Sequence, residues 1–412
     1  MLSSHINRPE LSKVIKSNGY LLTALALILV ITGCWEVSEK VGERDLSPGA
    51  KALIQKTLEP FVGDTLVDNH VHIIGLGNSG SGIEIHADMR SVIHPFKLTR
   101  FNYFMDAAGV TDKTQADEQY IDNLISQMVN IPIHFQVLGL ALDRHYLENG
   151  ELDEDETEIY IPNQYVFELS QEFAGDIIPA VSVHPYRKDA IAELEHWANL
   201  GVRVVKWVPN AMGIDPSSEQ CDPFYASMKK LDMVLLTHAG DEQAIDSEGR
   251  QHLGNPLLIR RALNAGVKVI VAHCAVSGNG NDLDAPEQDK VSNFELFMRL
   301  FDDPKYEDLL FADISAMTLL NQVGDPLEVL LSRPDLHSRL LYGSDYPLPA
   351  VSVLNNNAIL SYLGFLDDDV LEPLKEIQSN NPLLYNFVLL RVLKHPETGA
   401  HFSEDLFRNR IP

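Results

Sequence analysis

The chain has 412 residues, 45% of them hydrophobic, with 59 acidic against 32 basic side chains and a formal charge of −27. That composition is globular, and the length suits one large domain or two smaller ones. A surface this acidic repels a phosphate backbone, which argues against nucleic acid as a partner. The three cysteines, Cys34, Cys221 and Cys274, show no CxxC spacing, so neither a zinc knuckle nor a disulfide framework is signalled.

The first twenty residues carry Arg8, Lys13 and Lys16, and the apolar run Leu21 to Ile31 follows. That run falls short of the roughly 20 residues a bilayer-spanning helix needs. A basic segment, a short apolar core and then small residues describe a secretory signal. Ile31-Thr32-Gly33-Cys34 resembles a bacterial lipobox, which implies lipidation at Cys34 and export to the cell envelope, tethered to the membrane by lipid. An uncleaved anchor or an ordinary signal peptide are the alternatives. The expected organisation is a signal over 1–34, a polar tether over 35–49 and a catalytic domain over 50–412.

From residue 65 onward one theme repeats: an apolar, β-branched run, a polar loop, then a helix-like stretch. The runs are 65–72, 134–143, 176–185, 202–209, 233–240, 268–275, 309–316 and 340–347. They are continuously apolar rather than cleanly alternating, as strands buried on both faces are. The stretches 189–201 and 255–266 between them are amphipathic and close on a glycine suited to a helix C-terminus. Eight strand-then-helix units predict an α/β fold, the closed (β/α)₈ barrel. The rival open sheet lacks a convincing phosphate loop, because GLGNSGSG (75–82) has no clear helix behind it and reads as a mobile loop. Insertions follow the first strand (73–113) and the sixth (276–292). The acidic stretch 148–157 after the second reads as a solvated loop.

The strand ends carry the chemistry. The first ends in His70-Val71-His72, and residues two apart on a strand share a face, so both imidazoles can grip one ion. Such a pair is weak by itself in a chain with 15 histidines. The fourth strand carries Lys206, the fifth ends at His238, the sixth at His273 and the eighth at Asp345, and a barrel brings all these ends to one mouth. Imidazoles with a carboxylate suit a divalent ion of the zinc type, with one position left for water. The ion lowers that water's pKa to about 7, and a carboxylate such as Asp345 can take its proton.

The motifs VDNHVH, THAGDE, VAHC and YGSDYP, in this order, resemble the amidohydrolase superfamily and its amidohydrolase-related branch, over roughly residues 65–390. The resemblance implies a metal on His70, His72, His238 and Asp345, with Asp345 also the proton shuttle. It gives His273 either a second metal or the substrate carbonyl. One divalent ion is expected, zinc first, with manganese, iron or a second metal as alternatives. Lys206 has three readings: a carbamylated bridge between two metals, a substrate contact, or a lysine snorkelling into solvent. Trp207 should point the opposite way and pack.

Around the mouth, Arg144 after the second strand and His184 after the third are substrate-binding candidates. His86, Arg90, His94, Lys97 and Arg100 lie in the first insertion, which can fold over the mouth as a lid. Their positive charge hints at a small-molecule substrate bearing a carboxylate. Asp241 and Glu242 are expected to cap a helix or orient the loop. The leading function is hydrolysis of a C–N or C–O bond (amide, cyclic amide, lactone or ester). The second is metal-dependent decarboxylation of an aromatic or unsaturated acid, which the same branch includes and which export disfavours. The third is a lipid-anchored binding protein without catalysis.

Overall fold

The computed structural model describes residues 45–412. The expected signal segment, Cys34 and most of the tether lie outside the described residues. The tether's last two positions belong to a helix, Pro48–Leu58, because Ser47 caps it by accepting from Ala50 N through Oγ. Among the described residues no helix is long and apolar enough to cross a membrane.

Eight parallel strands form the barrel: β1 (Thr65–His72), β2 (His134–Leu140), β3 (Ile177–Val181), β4 (Val204–Trp207), β5 (Val234–Thr237), β6 (Val269–Val271), β7 (Leu310–Asp313) and β8 (Leu340–Leu341). Each of the eight apolar runs supplies one strand, and each strand pairs with its neighbours in chain order. Regular pairing in β8 stops after two residues, yet the chain continues alongside β1 and closes the barrel. Asn69 N donates to Tyr342 O at 3.0 Å, Asp345 N to His70 O at 2.9 Å and His72 N to Tyr346 O at 3.1 Å. The Asp68 carboxylate accepts from Ser344 N at 2.9 Å across the same seam. Gly343 eases this approach, since a Cβ at this position would stand 3.0 Å from His70 Cβ, tighter than an ordinary contact.

Two-residue alternation sorts each strand into an outer and an inner face. The outer faces join the helices in one large core, where Trp207 packs on Phe224 and Tyr225, opposite to Lys206 as expected. The inner faces form a separate cluster built from Leu138, Leu140, Val204, Leu236, Ile270 and Leu341, among others. Fully burying one such side chain contributes about 1.5–3 kcal/mol, so this plug anchors the barrel floor. Two residues further along the same inward rows stand Lys206, His238 and Asp313. The polar ring is therefore the next layer above an apolar plug.

Of the two helix stretches, 189–201 forms as expected, whereas 255–266 begins as a 3-10 turn, Pro256–Ile259, and is α-helical over five residues only. Ala190–Asn199 is followed by Gly201 at φ 93°, and Arg260–Asn264 by Gly266 at φ 82°. The insertion 276–292 holds a small antiparallel hairpin, Asn279–Asn281 with Lys290–Ser292.

The glycine-rich loop 75–82, expected to be mobile, is instead stitched down around an anion. The buried Asp117 carboxylate accepts from Gly77 N at 3.1 Å, Ser79 Oγ at 3.1 Å and Ser81 Oγ at 2.6 Å, and also from Leu76 N and Ser79 N. The glycines let the backbone curl its N–H groups inward, as they would around a phosphate. The ligand is the protein's own side chain. Asp117→Ala would leave these donors without their acceptor, at about 1–3 kcal/mol for each group that water cannot reach, Ser81 first among them. The expected outcome is a fall in the urea midpoint together with proteolytic cutting within 75–82. An unchanged midpoint would show that the loop does not depend on Asp117.

Candidate active site

His70 and His72 leave β1 on the inward face, and Asp345 faces them across the seam. One ligand atom from each lies within 4.8 Å of the others. His72 Nε2 stands 3.0 Å from Asp345 Oδ1, and His70 Nε2 is 3.7 Å from the same oxygen. Lys206 Nζ, fully buried, approaches His70 Nε2 to 3.2 Å. The sequence-predicted His70, His72, Asp345 and Lys206 are thus brought together.

The orientation of the rings comes from β7. His70 Nδ1 sits 2.9 Å from Asp313 Oδ2. An ionised carboxylate only accepts, so Nδ1 carries the hydrogen and Nε2 presents its lone pair towards His72 and Asp345. Asp313 Oδ1 accepts from His273 N at 3.0 Å, Ser315 N at 3.1 Å and the Ser315 hydroxyl. That hydroxyl has one hydrogen and gives it to Asp313. It therefore accepts from His273 Nδ1 at 2.7 Å, which leaves His273 Nε2 as an acceptor. One buried carboxylate sets the tautomers of two histidines.

Asp313 was missed by sequence reasoning, as was Ser315. The available signal was an acid two residues before a serine inside the otherwise apolar run LLFADISA. A second group, His70, His273 and Asp313, also falls within 4.8 Å. Its carboxylate is committed to the four donors above, so Asp313 orients the rings rather than gripping an ion.

His238 lies outside both close groups but faces the same cavity. Its Nε2 is buried and has no hydrogen-bond partner, while Nδ1 points towards Glu242 Oε2 at 3.7 Å. A buried nitrogen without a partner costs about 1–3 kcal/mol, and a metal ion is a partner that would relieve it. The donors present, neutral imidazole nitrogens and a carboxylate oxygen, fit a zinc-type divalent ion.

Electrostatics favour the ligating forms. Burial, reinforced by the charge of Lys206, pushes His70 down to about 3, and burial pushes His238 down to about 4, so both imidazoles are neutral at pH 7. Burial alone would raise Asp345, but His273, the hydrogen bond from His72 and the nearby His70 outweigh it, holding the carboxyl well below the usual range. Burial lowers Lys206 from the usual ammonium range, opposed by Asp313, Asp345 and Glu242. Backbone strain gathers at the same place. Of seven non-glycine residues with positive φ among the described residues, five lie just past β6, β7 and β8: His273 (54°), Cys274 (49°), Ala275 (52°), Ala316 (57°) and Asp345 (60°). Each such residue costs on the order of 1–3 kcal/mol and persists only where its surroundings hold it.

Above these residues opens a cavity of about 530 Å³. His72, Lys206, His238, His273 and Asp345 form its floor, and His70 stands behind them. The first insertion covers it, as expected of a lid: helix Pro95–Ala107 contributes Phe96, Lys97, Arg100 and Phe104 to the roof.

Several expectations change. Arg144 does not reach the cavity, because it forms a bidentate pair with Glu84 (2.6 and 3.0 Å) and stacks on Tyr160. His184 is buried, with Nε2 on Met212 O at 2.8 Å and Nδ1 accepting from Tyr186 N at 3.1 Å. Burial pushes it down to about 3, so it is a structural histidine rather than a substrate contact. Lys206 does not snorkel into solvent, since its row points into the barrel. Of the five basic residues singled out in the first insertion only Lys97 and Arg100 line the cavity, and both are already paired with carboxylates. Glu242 orients its loop through Ala244 N and Ile245 N, as one of its two readings had it.

Asp313→Asn removes the pure acceptor that sets His70 and His273. Losing such a partner typically costs about 10–100-fold in metal affinity. Equilibrium dialysis against zinc is expected to show a loss of that size, and unchanged affinity would remove Asp313 from its orienting role.

The amidohydrolase family model matches residues 68–291, more than half of the chain. No curated protein sequence matches it. Among solved structures, similar folds include an uncharacterized TIM-barrel protein from Bordetella bronchiseptica, 17% identical over 79% of this chain and 99% of that one, with a TM-score of 0.45. Another is a putative 2-pyrone-4,6-dicarboxylic acid hydrolase from Pseudomonas putida, 16% identical over 78% of this chain and 98% of that one, with a TM-score of 0.43. A third is the apo form of IDCase from Metarhizium anisopliae, 12% identical over 79% and 97% of the two chains, with a TM-score of 0.39.

Proposed function

We propose that this chain, which belongs to the amidohydrolase family, is a metal-dependent hydrolase that cleaves a C–N or C–O bond of a small molecule with water. The observation that carries this reading is the convergence of His70, His72 and Asp345 within 4.8 Å at the base of a cavity that the lid helix partly covers. These three residues would hold one divalent ion, zinc by its donor set, with the unpartnered Nε2 of His238 as the next donor. When bound, such an ion supplies Lewis acidity and lowers the pKa of a water molecule to about 7.

The chain's own residues do the rest. Asp345, kept ionised by the imidazoles around it, takes a proton from the attacking water and returns it to the leaving nitrogen or oxygen. His273 presents an accepting Nε2, so the neutral ring can take up a proton in transit but has none on that nitrogen to donate to a carbonyl. Lys206 Nζ, the buried donor beside His70, binds the substrate oxygen. The lid helix excludes bulk water, which strengthens each of these interactions.

Metal analysis of purified protein is expected to give about one equivalent of zinc-type ion. His70→Ala should lose it, and Asp345→Ala should lower kcat by about 10²–10⁴ on whichever lactone, ester or amide is turned over. Full turnover in either variant would sink this site. A panel of aromatic acids run beside the hydrolase substrates separates the rival chemistry: release of CO₂ without hydrolysis makes the protein a decarboxylase.

Export is proposed from the basic and apolar segments ahead of residue 32, and the lipid anchor from residues 31–34. In a bacterial host, labelled palmitate should enter the full-length chain, and Cys34→Ser should abolish labelling. Labelling that survives the substitution refutes the anchor.

A further inference from the structure

The cavity above the candidate centre is far more apolar than the sequence suggested. Ile85 and Ile161 line one wall, Leu142 and Leu319 contribute others, and Phe96 and Phe104 come down from the lid helix. Phe96 also faces solvent at 72% exposure, so the rim is apolar as well. A space of about 530 Å³ lies within the range that encloses most of a drug-sized ligand.

The cations that the lid brings to it are already paired. Lys97 Nζ lies 2.8 Å from Glu158 Oε1 and 2.9 Å from Asp246 Oδ2, and Arg100 Nη2 lies 2.7 Å from Glu158 Oε2. Lys206, the other lysine on the lining, sits among Asp313, Asp345 and Glu242. Asp241 and Glu242 also face the cavity and add negative potential. A ligand carboxylate in the upper cavity would lose its hydration and meet only cations already paired with protein carboxylates.

We propose that the substrate presents an apolar, uncharged body to this cavity, and that Glu158 and Asp246 set this preference by neutralising Lys97 and Arg100. Only the identity of the reacting end rests on the hydrolase reading; the preference itself is a property of the cavity. Glu158 is buried and tied to both cations and to Asp246 N at 2.7 Å, so the neutralising charge is built into the lid's seat rather than supplied by solvent.

Equilibrium binding tests this without turnover. The neutral fluorophore N-phenyl-1-naphthylamine should bind the full chain, and Leu142→Trp, which fills the cavity wall, should suppress its signal. 2-Nonanone, which has no hydrolysable bond, should displace the probe at a concentration at least about tenfold lower than 8-oxononanoate, its counterpart ending in a carboxylate, a gap of about 1.4 kcal/mol. Glu158→Gln should narrow that gap by unmasking Lys97 and Arg100. Asp246→Asn, on a more exposed loop, serves the same purpose if the first variant does not fold. The proposal is overturned if the probe does not bind, if Leu142→Trp leaves binding unchanged, if the carboxylate competes equally well, or if the folded charge variants leave the gap intact. Loss of hydrolysis with the binding preference intact would fault the proposed activity and not this inference.

Discussion

The seam that closes the barrel is the constraint on which the rest of the site depends. Past Leu341 the chain no longer forms a regular strand, yet backbone hydrogen bonds keep it against β1 as far as Tyr346. One of these bonds joins Asp345 N to His70 O, so the same peptide contact that seals the barrel sets a carboxylate opposite a histidine. The left-handed backbone at Asp345 and the missing Cβ at Gly343 are the local conditions for that approach. Opening this seam would separate the ligands and expose the apolar plug together.

Above the plug, the polar ring is held by few groups doing several tasks. The Asp313 carboxylate accepts from two histidines' neighbourhoods at once: the ring of His70 on one oxygen, and the His273 backbone with the Ser315 hydroxyl on the other. Because a carboxylate cannot donate, this arrangement leaves Nε2 of both rings as acceptors without any metal being needed to select them. Burial adds to the effect by holding His70 neutral. The site is pre-organised by the barrel, in a layer whose rigidity comes from the hydrophobic layer beneath it.

Glu158 and Asp246 play the corresponding part at the roof. They come from loops after β2 and β5, and they clamp two cations of the lid helix. The clamp fastens the lid and cancels its charge in one step. Lys97 and Arg100, which stand as free charges in the sequence, are paired with carboxylates once the chain is folded.

Much was legible in the sequence because it depends on local periodicity. Eight continuously apolar runs, glycines closing the helices and the two-residue spacing of His70 and His72 all follow from backbone repeat lengths, and so does the opposite facing of Lys206 and Trp207. Their assembly into a barrel follows from the order of the elements. What only the tertiary structure decided is which side chains meet across long separations in the chain. Arg144 and His184 stand after strands just as His238 and His273 do, but Glu84 and the backbone at Met212 claim them first. Asp313 reads as one acid in an apolar run until His70, 243 positions away, lies against it. Loop 75–82 has the composition of an anion-binding turn, and the anion is a side chain 36 to 41 positions further on. Sequence periodicity determines the face on which a residue lies, whereas hydrogen bonding and charge pairing depend on partners that only closure of the barrel brings within reach.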